Sequence, residues 1–357
     1  MTVIDEARQV TERLGLGSFQ PSDETPRGGR NESVTGTTSR GGEVFVKKLK
    51  GQHSKHRLQK LISFEETCRL HLPPALRTPD CLGWDAASSV VVFRWLKAAK
   101  SGHALAASGS FTDDLAHRCG ALLAAVHAVP PDILTPVARL EQPNPFKALS
   151  LSYYEQASGG ELEVWRVLHQ NDHVVASVDS LHEKSAQAEH TLIHADLRLD
   201  QFLVDQEGPL LCDWEEWDVD DPAHDIGAFA GEWLYRAVLG MNTARPAESE
   251  DDVLPAAGHA STAHARVMDR GLSRLAMARD KVAAFWAGYS STLKSPAVSV
   301  AERATGYAGW HLLERVLSGA ELRPQLNTLD RMLLGIGSTA LRSPQKFVKV
   351  IGLGSGS

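Results

Sequence analysis

The chain has 357 residues, 43% of them hydrophobic and 23% charged, with a formal net charge of -7, a composition that suits a folded chain of about two structural units and excludes a disordered one. The acidic balance argues against a general nucleic-acid partner. No run nears the roughly 18 apolar residues that span a bilayer, and MTVIDEARQV carries acids where a secretory signal needs a basic and then an apolar stretch.

Residues 3–15 place apolar side chains at helical spacing and predict a short amphipathic helix. Residues 17–43 are rich in Gly, Ser, Thr and Arg, and Arg40-Gly41-Gly42 reads as a hairpin turn into the strand VFVKKL at 44–49. A helix is expected over 54–72, stopped by Pro73-Pro74, and a second strand over 88–96. Beyond residue 97 the pattern turns helical, over 112–129, 160–186, 224–240, 262–290, 298–319 and 325–341. Two short strands interrupt it, 201–204 and 209–213, around the turn sequence Asp205-Gln206-Glu207-Gly208. The order is that of an α+β protein with a small strand-rich N-terminal lobe and a large helical C-terminal lobe. We place the N-lobe at 1–92, a hinge at 93–97, the C-lobe at 98–345 and a flexible tail at 346–357. Cys68, Cys81, Cys119 and Cys212 are scattered with no CxxC pair and read as reduced thiols of a cytoplasmic protein.

The sharpest chemical signal is His194-Ala-Asp196-Leu-Arg198-Leu-Asp200-Gln201, followed by Asp213-Trp214-Glu215. A carboxylate in the loop before a hairpin and another at its end bring two acids to one cleft. The first is placed to accept a proton from an attacking hydroxyl, and the second to hold Mg²⁺ on nucleotide phosphates. Charge is uneven around these motifs. Residues 27–60 hold nine Lys/Arg against two acids, whereas 213–221 hold six acids and no base. An acidic stretch beside the site suits a cationic acceptor such as an aminoglycoside, and a basic lobe suits an acidic peptide; solvated faces, or bases that serve ATP phosphates, account for the same pattern.

The catalytic segment resembles the loop of protein kinases and of aminoglycoside and choline phosphotransferases, HxDxxxxN with a hairpin and a second Asp. Asp221-Pro222-Ala-His-Asp225 resembles the GDPxxD pattern of the same phosphotransferases. The resemblance covers roughly residues 20–235 and implies a bilobal protein-kinase-like fold using ATP and Mg²⁺. It implies Asp196 as catalytic base, Arg198 as the cation steadying the transferring phosphoryl group, and Asp213 with Gln201 as metal ligands. Lys47, rather than its neighbour Lys48, is the expected phosphate-binding lysine. Glu65, with Glu66 beside it, is the expected ion-pair partner of Lys47. Gly28, Gly29, Asn31 and Ser33 fall at the nucleotide-covering loop, and Phe93 and Trp95 at the adenine-reading hinge. His194 and Asp225 are expected to brace the loop. Gln201 stands where the family has Asn, which adds a methylene and reshapes the second metal position.

A narrower resemblance, carried by GGRNESVTGTT…VFVKKL and HADLRLDQFLV, is to the kinase-like subunits of class V lanthipeptide and thioamitide pathways. It implies phosphorylation of Ser/Thr in a precursor peptide, with a HopA1-like lyase partner that eliminates the phosphate. A small-molecule phosphotransferase and a pseudokinase scaffold are the alternatives. No nucleic-acid or membrane partner is expected.

Overall fold

The computed structural model describes residues 2–22, 30–68, 71–73, 76–139, 149–170, 172–241, 260–293 and 298–354. It divides into two compact units. The first comprises Met1–Phe111, Ala125–Arg139 and Thr191–Val219; the second comprises Thr112–Ala124, Leu140–His190 and Asp220–Ser357.

The first unit opens with α1 (Val3–Arg13), started by a reciprocal cap in which Thr2 Oγ1 accepts from the Asp5 amide and Asp5 accepts from the Thr2 amide. Five antiparallel strands follow: β1 (Phe19–Pro21), β2 (Glu32–Thr38), β3 (Gly42–Lys48), β4 (Cys81–Asp85) and β5 (Val90–Arg94), in the order β1-β2-β3-β5-β4. Strand alternation sends Val34, Val44, Val46, Val90 and Val92 to one face, where they pack with Ala7 and Val10 of α1. Val91 points the other way, into a cluster with Leu58 and Leu61 of α2 (Ser54–Ser63). The helix expected over 54–72 is shorter: α2 ends at Ser63 and passes into a π-helical turn over Phe64–Cys68.

The hairpin β8 (Phe202–Val204) and β9 (Pro209–Leu211) forms a three-stranded sheet with β6 (Lys100–Ser101), in the order β6-β8-β9. Ahead of it stands β7 (Thr191–Ile193), which pairs with β10 (Asp218–Asp220). Between β6 and β7 in the chain come α3 (Gly102–Ala107), α4 (Asp113–His127), α5 (Leu151–Gln156), α6 (Gly159–His169) and α7 (Asp172–Ala186). In place of the single helix expected over 160–186 there are two, α6 ending at His169 and α7 beginning at Asp172.

The second unit is completed by α8 (Ala223–Gly240), α9 (Ala260–Thr292), α10 (Val298–Ala320), α11 (Thr328–Arg342) and α12 (Pro344–Ile351). Its core includes Phe229 of α8 stacked on Phe285 of α9, ring centroids 3.9 Å apart. Helices α4 and α9 approach so closely at Gly120 and Gly288 that a Cβ on either would overlap a carbonyl of the other helix, Phe285 or His117. The expected flexible tail from 346 is corrected through Leu353. Proline at the first position starts α12, left-handed Gly352 ends it, and Val348, Ile351 and Leu353 are buried. Among the described residues no helix is long and apolar enough to cross a membrane.

Candidate active site

The register of β2, β3 and β5 decides which lysine faces the site. Lys47 lies opposite Ser33 and Val91, on the face covered by α2. Lys48 points to the other face and pairs with Glu6 of α1. Lys47 is 10% exposed and contacts both Asp213 and, at 2.7 Å, Glu215. Burial pushes its ammonium pKa down, but the two carboxylates more than offset this and hold it above the ordinary lysine value. The same balance runs in Asp213, where burial pushes the carboxyl up and Lys47 brings it below the usual range.

Glu65, expected to hold Lys47, sits half-buried in the π-helical turn, and the ion pairs that Lys47 makes are with Asp213 and Glu215 instead. Glu215 is fixed in turn by Arg57 Nη1 at 2.6 Å and by Asn31 Nδ2 at 3.1 Å. Asn31, expected on the nucleotide-covering loop, is thus occupied by this network; its Oδ1 accepts from the Lys50 amide at 3.2 Å. Ser33 shares the Lys47 face. Gly28 and Gly29 lie outside the described residues.

The acids of 213–218 are paired within the chain, in part by bases of the 27–60 stretch. Beyond the pairs above, Arg30 meets Glu216 at 3.3 Å, and Lys60 and Arg139 meet Asp218 at 3.4 and 2.8 Å. Within the second unit Arg303 holds Asp221 at 2.6 and 3.0 Å. The acidic hairpin is therefore neutralised from within the chain and gives no support to a cationic acceptor.

The catalytic loop is fastened at both ends. His194 Nε2 donates to the Cys212 carbonyl at 2.9 Å, which leaves Nδ1 to accept from the Asp196 amide at 3.4 Å. The ring also packs against Trp214, which stacks on Phe64 at 4.2 Å. Ala195 and Asp213 both have left-handed backbones, φ 65° and 71°, conformations uncommon outside glycine and found where a site dictates the chain path. The Asp196 side chain keeps 41% of its exposure and lies 3.4 Å from Arg198, which also reaches Asp200 at 3.4 Å. Desolvation by the surrounding protein outweighs Arg198 and raises the Asp196 pKa above the ordinary carboxylate value.

Gln201 is buried beside the residue that precedes Asp213. Its carbonyl accepts from the Cys212 amide at 3.0 Å, and its Oε1 lies 3.7 Å from Cys212 Sγ. Asp213 and Gln201 thus bring oxygen donors from the two ends of one hairpin. Among the described residues no three His, Cys, Asp or Glu side chains converge on a metal position. Two protein oxygens suit a hard cation whose remaining ligands are phosphate and water.

At the expected hinge, Trp95 stacks on Phe45 with centroids 5.8 Å apart, and Phe93 packs against the α2 cluster. The amides of Arg94 and Trp95 donate to the carbonyls of Asp80 and Glu43 at 2.8 and 3.0 Å, so both are engaged within the chain. Asp225 is buried in the first turn of α8, 3.6 Å from His224. Burial lowers the His224 pKa, but Asp225 more than reverses this and raises it.

The model of the phosphotransferase enzyme family matches residues 26–266, which span the lysine strand, the loop and the hairpin. The chain belongs to that family. Solved structures of phosphotransferase folds agree. A choline/ethanolamine kinase family protein from Mesorhizobium loti superposes with a TM-score of 0.56 at 15% identity, over 99% of this chain and 100% of that one. A choline kinase from Streptococcus pneumoniae gives 0.53 at 13%, over 95% and 99%. An aminoglycoside 2'-phosphotransferase in complex with GDP gives 0.52 at 13%, over 96% and 100%. At these identities the likeness shows the fold: α+β and kinase-like. No curated protein matches by sequence. Membership makes the chain an enzyme of phosphoryl transfer, and within that phosphotransferase frame the residues sequence reasoning missed are Glu215 and Arg57. Their signal was present as opposite local charge at 27–60 and 213–221, but spacing along the chain does not say which base meets which acid.

Proposed function

We infer that the protein transfers the terminal phosphoryl group of ATP, with Mg²⁺, to a Ser/Thr hydroxyl of a precursor peptide, from which a partner lyase then eliminates the phosphate. The observation that carries the chemistry is Asp196 placed in a loop fastened to the metal-side hairpin by His194. Bound Mg²⁺–ATP supplies the phosphoryl group and part of the charge neutralisation. Asp213 and Gln201 would hold the cation, and Lys47 would orient the phosphates. The acceptor hydroxyl gives its proton to Asp196 as its oxygen bonds to the terminal phosphorus and the bond to the departing diphosphate breaks. Arg198, beside Asp196, neutralises charge on the group in flight.

The peptide acceptor is supported by the resemblance of GGRNESVTGTT…VFVKKL and HADLRLDQFLV to lanthipeptide-pathway kinases. The internal neutralisation of 213–218 removes the charge argument for an aminoglycoside. A second reading, a small amino-alcohol acceptor, is favoured by the choline kinase likeness. Mass spectrometry decides. Incubation with ATP, Mg²⁺ and a candidate precursor peptide should add one phosphate per modified residue, and a HopA1-like lyase should convert that gain to loss of water. An unmodified peptide in the presence of lyase, with choline or ethanolamine phosphorylated, would replace the peptide reading by the second.

A further inference from the structure

Lys47 is gripped by two carboxylates two residues apart on one turn, and the two are mounted differently. Asp213 makes its contact from a left-handed backbone at the end of the hairpin. Glu215 is locked from behind. Arg57 Nη1 donates to its Oε1 at 2.6 Å, and Asn31 Nδ2 lies 3.1 and 3.3 Å from its two oxygens. Arg57 is itself tied to the carbonyl of Lys50 and, at 3.3 Å, to Asn31 Oδ1. The Glu215 and Arg57 side chains are 6% and 3% exposed. A buried guanidinium–carboxylate pair with this many charge-assisted bonds has one geometry available to it.

We propose that Glu215, anchored by Arg57 of α2, is the positioning residue for Lys47, the role that the sequence suggests for Glu65. The inference rests on the ATP-binding reading above and assigns a division of labour within the turn. Asp213 is the one that would turn to a metal: its side-chain contacts are with Lys47 and Glu215, and among the described residues no arginine holds its carboxylate from behind as Arg57 holds Glu215. Glu215 keeps the ammonium in place while it does so, because Arg57 and Asn31 hold Glu215. The lysine is thereby aligned from the hairpin, and α2 contributes through an arginine rather than a glutamate.

Calorimetric titration separates the possibilities, with ATP, ATP plus Mg²⁺, and adenosine as probes. Glu215→Gln should weaken ATP at least about tenfold with or without Mg²⁺ and leave adenosine, which has no phosphates for Lys47 to hold, unchanged. Lys47→Met combined with Glu215→Gln should bind no worse than Lys47→Met alone, since both act through one ammonium. Arg57→Lys, which keeps the charge but loses the fork, should show a smaller loss of the same pattern and serves where Glu215→Gln folds poorly. Wild-type affinity in both variants overturns the proposal. So does a loss seen only with Mg²⁺, which would make Glu215 a metal ligand, or a parallel loss of adenosine, which would make it a structural residue. Wild-type protein that binds no ATP overturns the nucleotide reading first, and this inference with it.

Discussion

His194 and Cys212 are joined by a 2.9 Å hydrogen bond that ties the start of the catalytic loop to the residue before Asp213. The imidazole is fully buried and bridges two backbones, with Nε2 as donor and Nδ1 as acceptor. His194→Ala should therefore cost about 1–3 kcal/mol of stability, the penalty for leaving buried backbone groups unpaired, and lower turnover as well. Urea unfolding and a steady-state assay read the two. Unchanged stability would mean the loop holds without the histidine.

Asp196, the proposed proton acceptor, has a raised pKa. Its folded value lies above its unfolded one, so folding favours the protonated form. Stability falls as pH rises from the unfolded pKa through the folded one, and that cost persists at neutral pH. Asp196→Asn should then unfold at a higher temperature than the wild type at pH 7 while turnover drops about 10²–10⁴-fold. ATP affinity should hold. In the wild type the acidic limb of the rate–pH profile should lie above the ordinary carboxylate range, because the base must be ionised to act. Full activity of Asp196→Asn would refute the assignment.

The two lysines of β3 should separate cleanly. Lys47→Met is expected to abolish phosphoryl transfer. Lys48→Met removes only the contact to Glu6 of α1 and should leave the rate for ATP unchanged while lowering the melting temperature. Equal loss of activity in both would contradict the register of the strand.

Arg303 supplies two hydrogen bonds to Asp221, whose side chain is wholly buried. Arg303→Met strands that carboxylate and should destabilise by about 3–5 kcal/mol. Asp221→Asn together with Arg303→Met should recover part of the loss, measured by chemical denaturation. An additive loss in the double variant would show that the pair is not the unit being broken.

Much of this was legible in the chain because it depends on local rules. Asp196, Asp213 and Lys47 sit where a loop, a hairpin end and a strand end place them, and strand alternation alone limits the phosphate-facing lysine to Lys47 or Lys48. What failed depends on tertiary choice. Glu65 follows α2 in sequence, but the backbone widens there into a π-helical turn, and the ion pairs that Lys47 makes are with Asp213 and Glu215. The acid cluster at 213–221 looked like an attractant for ligands because local charge says nothing of partners more than 150 residues away, such as Arg57. The end of the chain was misread by its glycine-rich composition, although Pro344 and Gly352 bracket a helix by the usual start and stop chemistry.

The first unit is built from three separate stretches, the last of which is Thr191–Val219. During synthesis its sheet therefore emerges long before the acids that neutralise it. Until Glu215 is made, Lys47 and Arg57 have no carboxylate to bury against, and a charged face cannot be desolvated alone. Closing contacts at such long separation is slow and comes late in folding. The Lys47 face of the sheet and the turn that carries Glu215 are therefore expected to reach their native form together. A nascent chain that ends before Asp213 would lack both acids that Lys47 pairs with and would leave the basic face of its sheet in water.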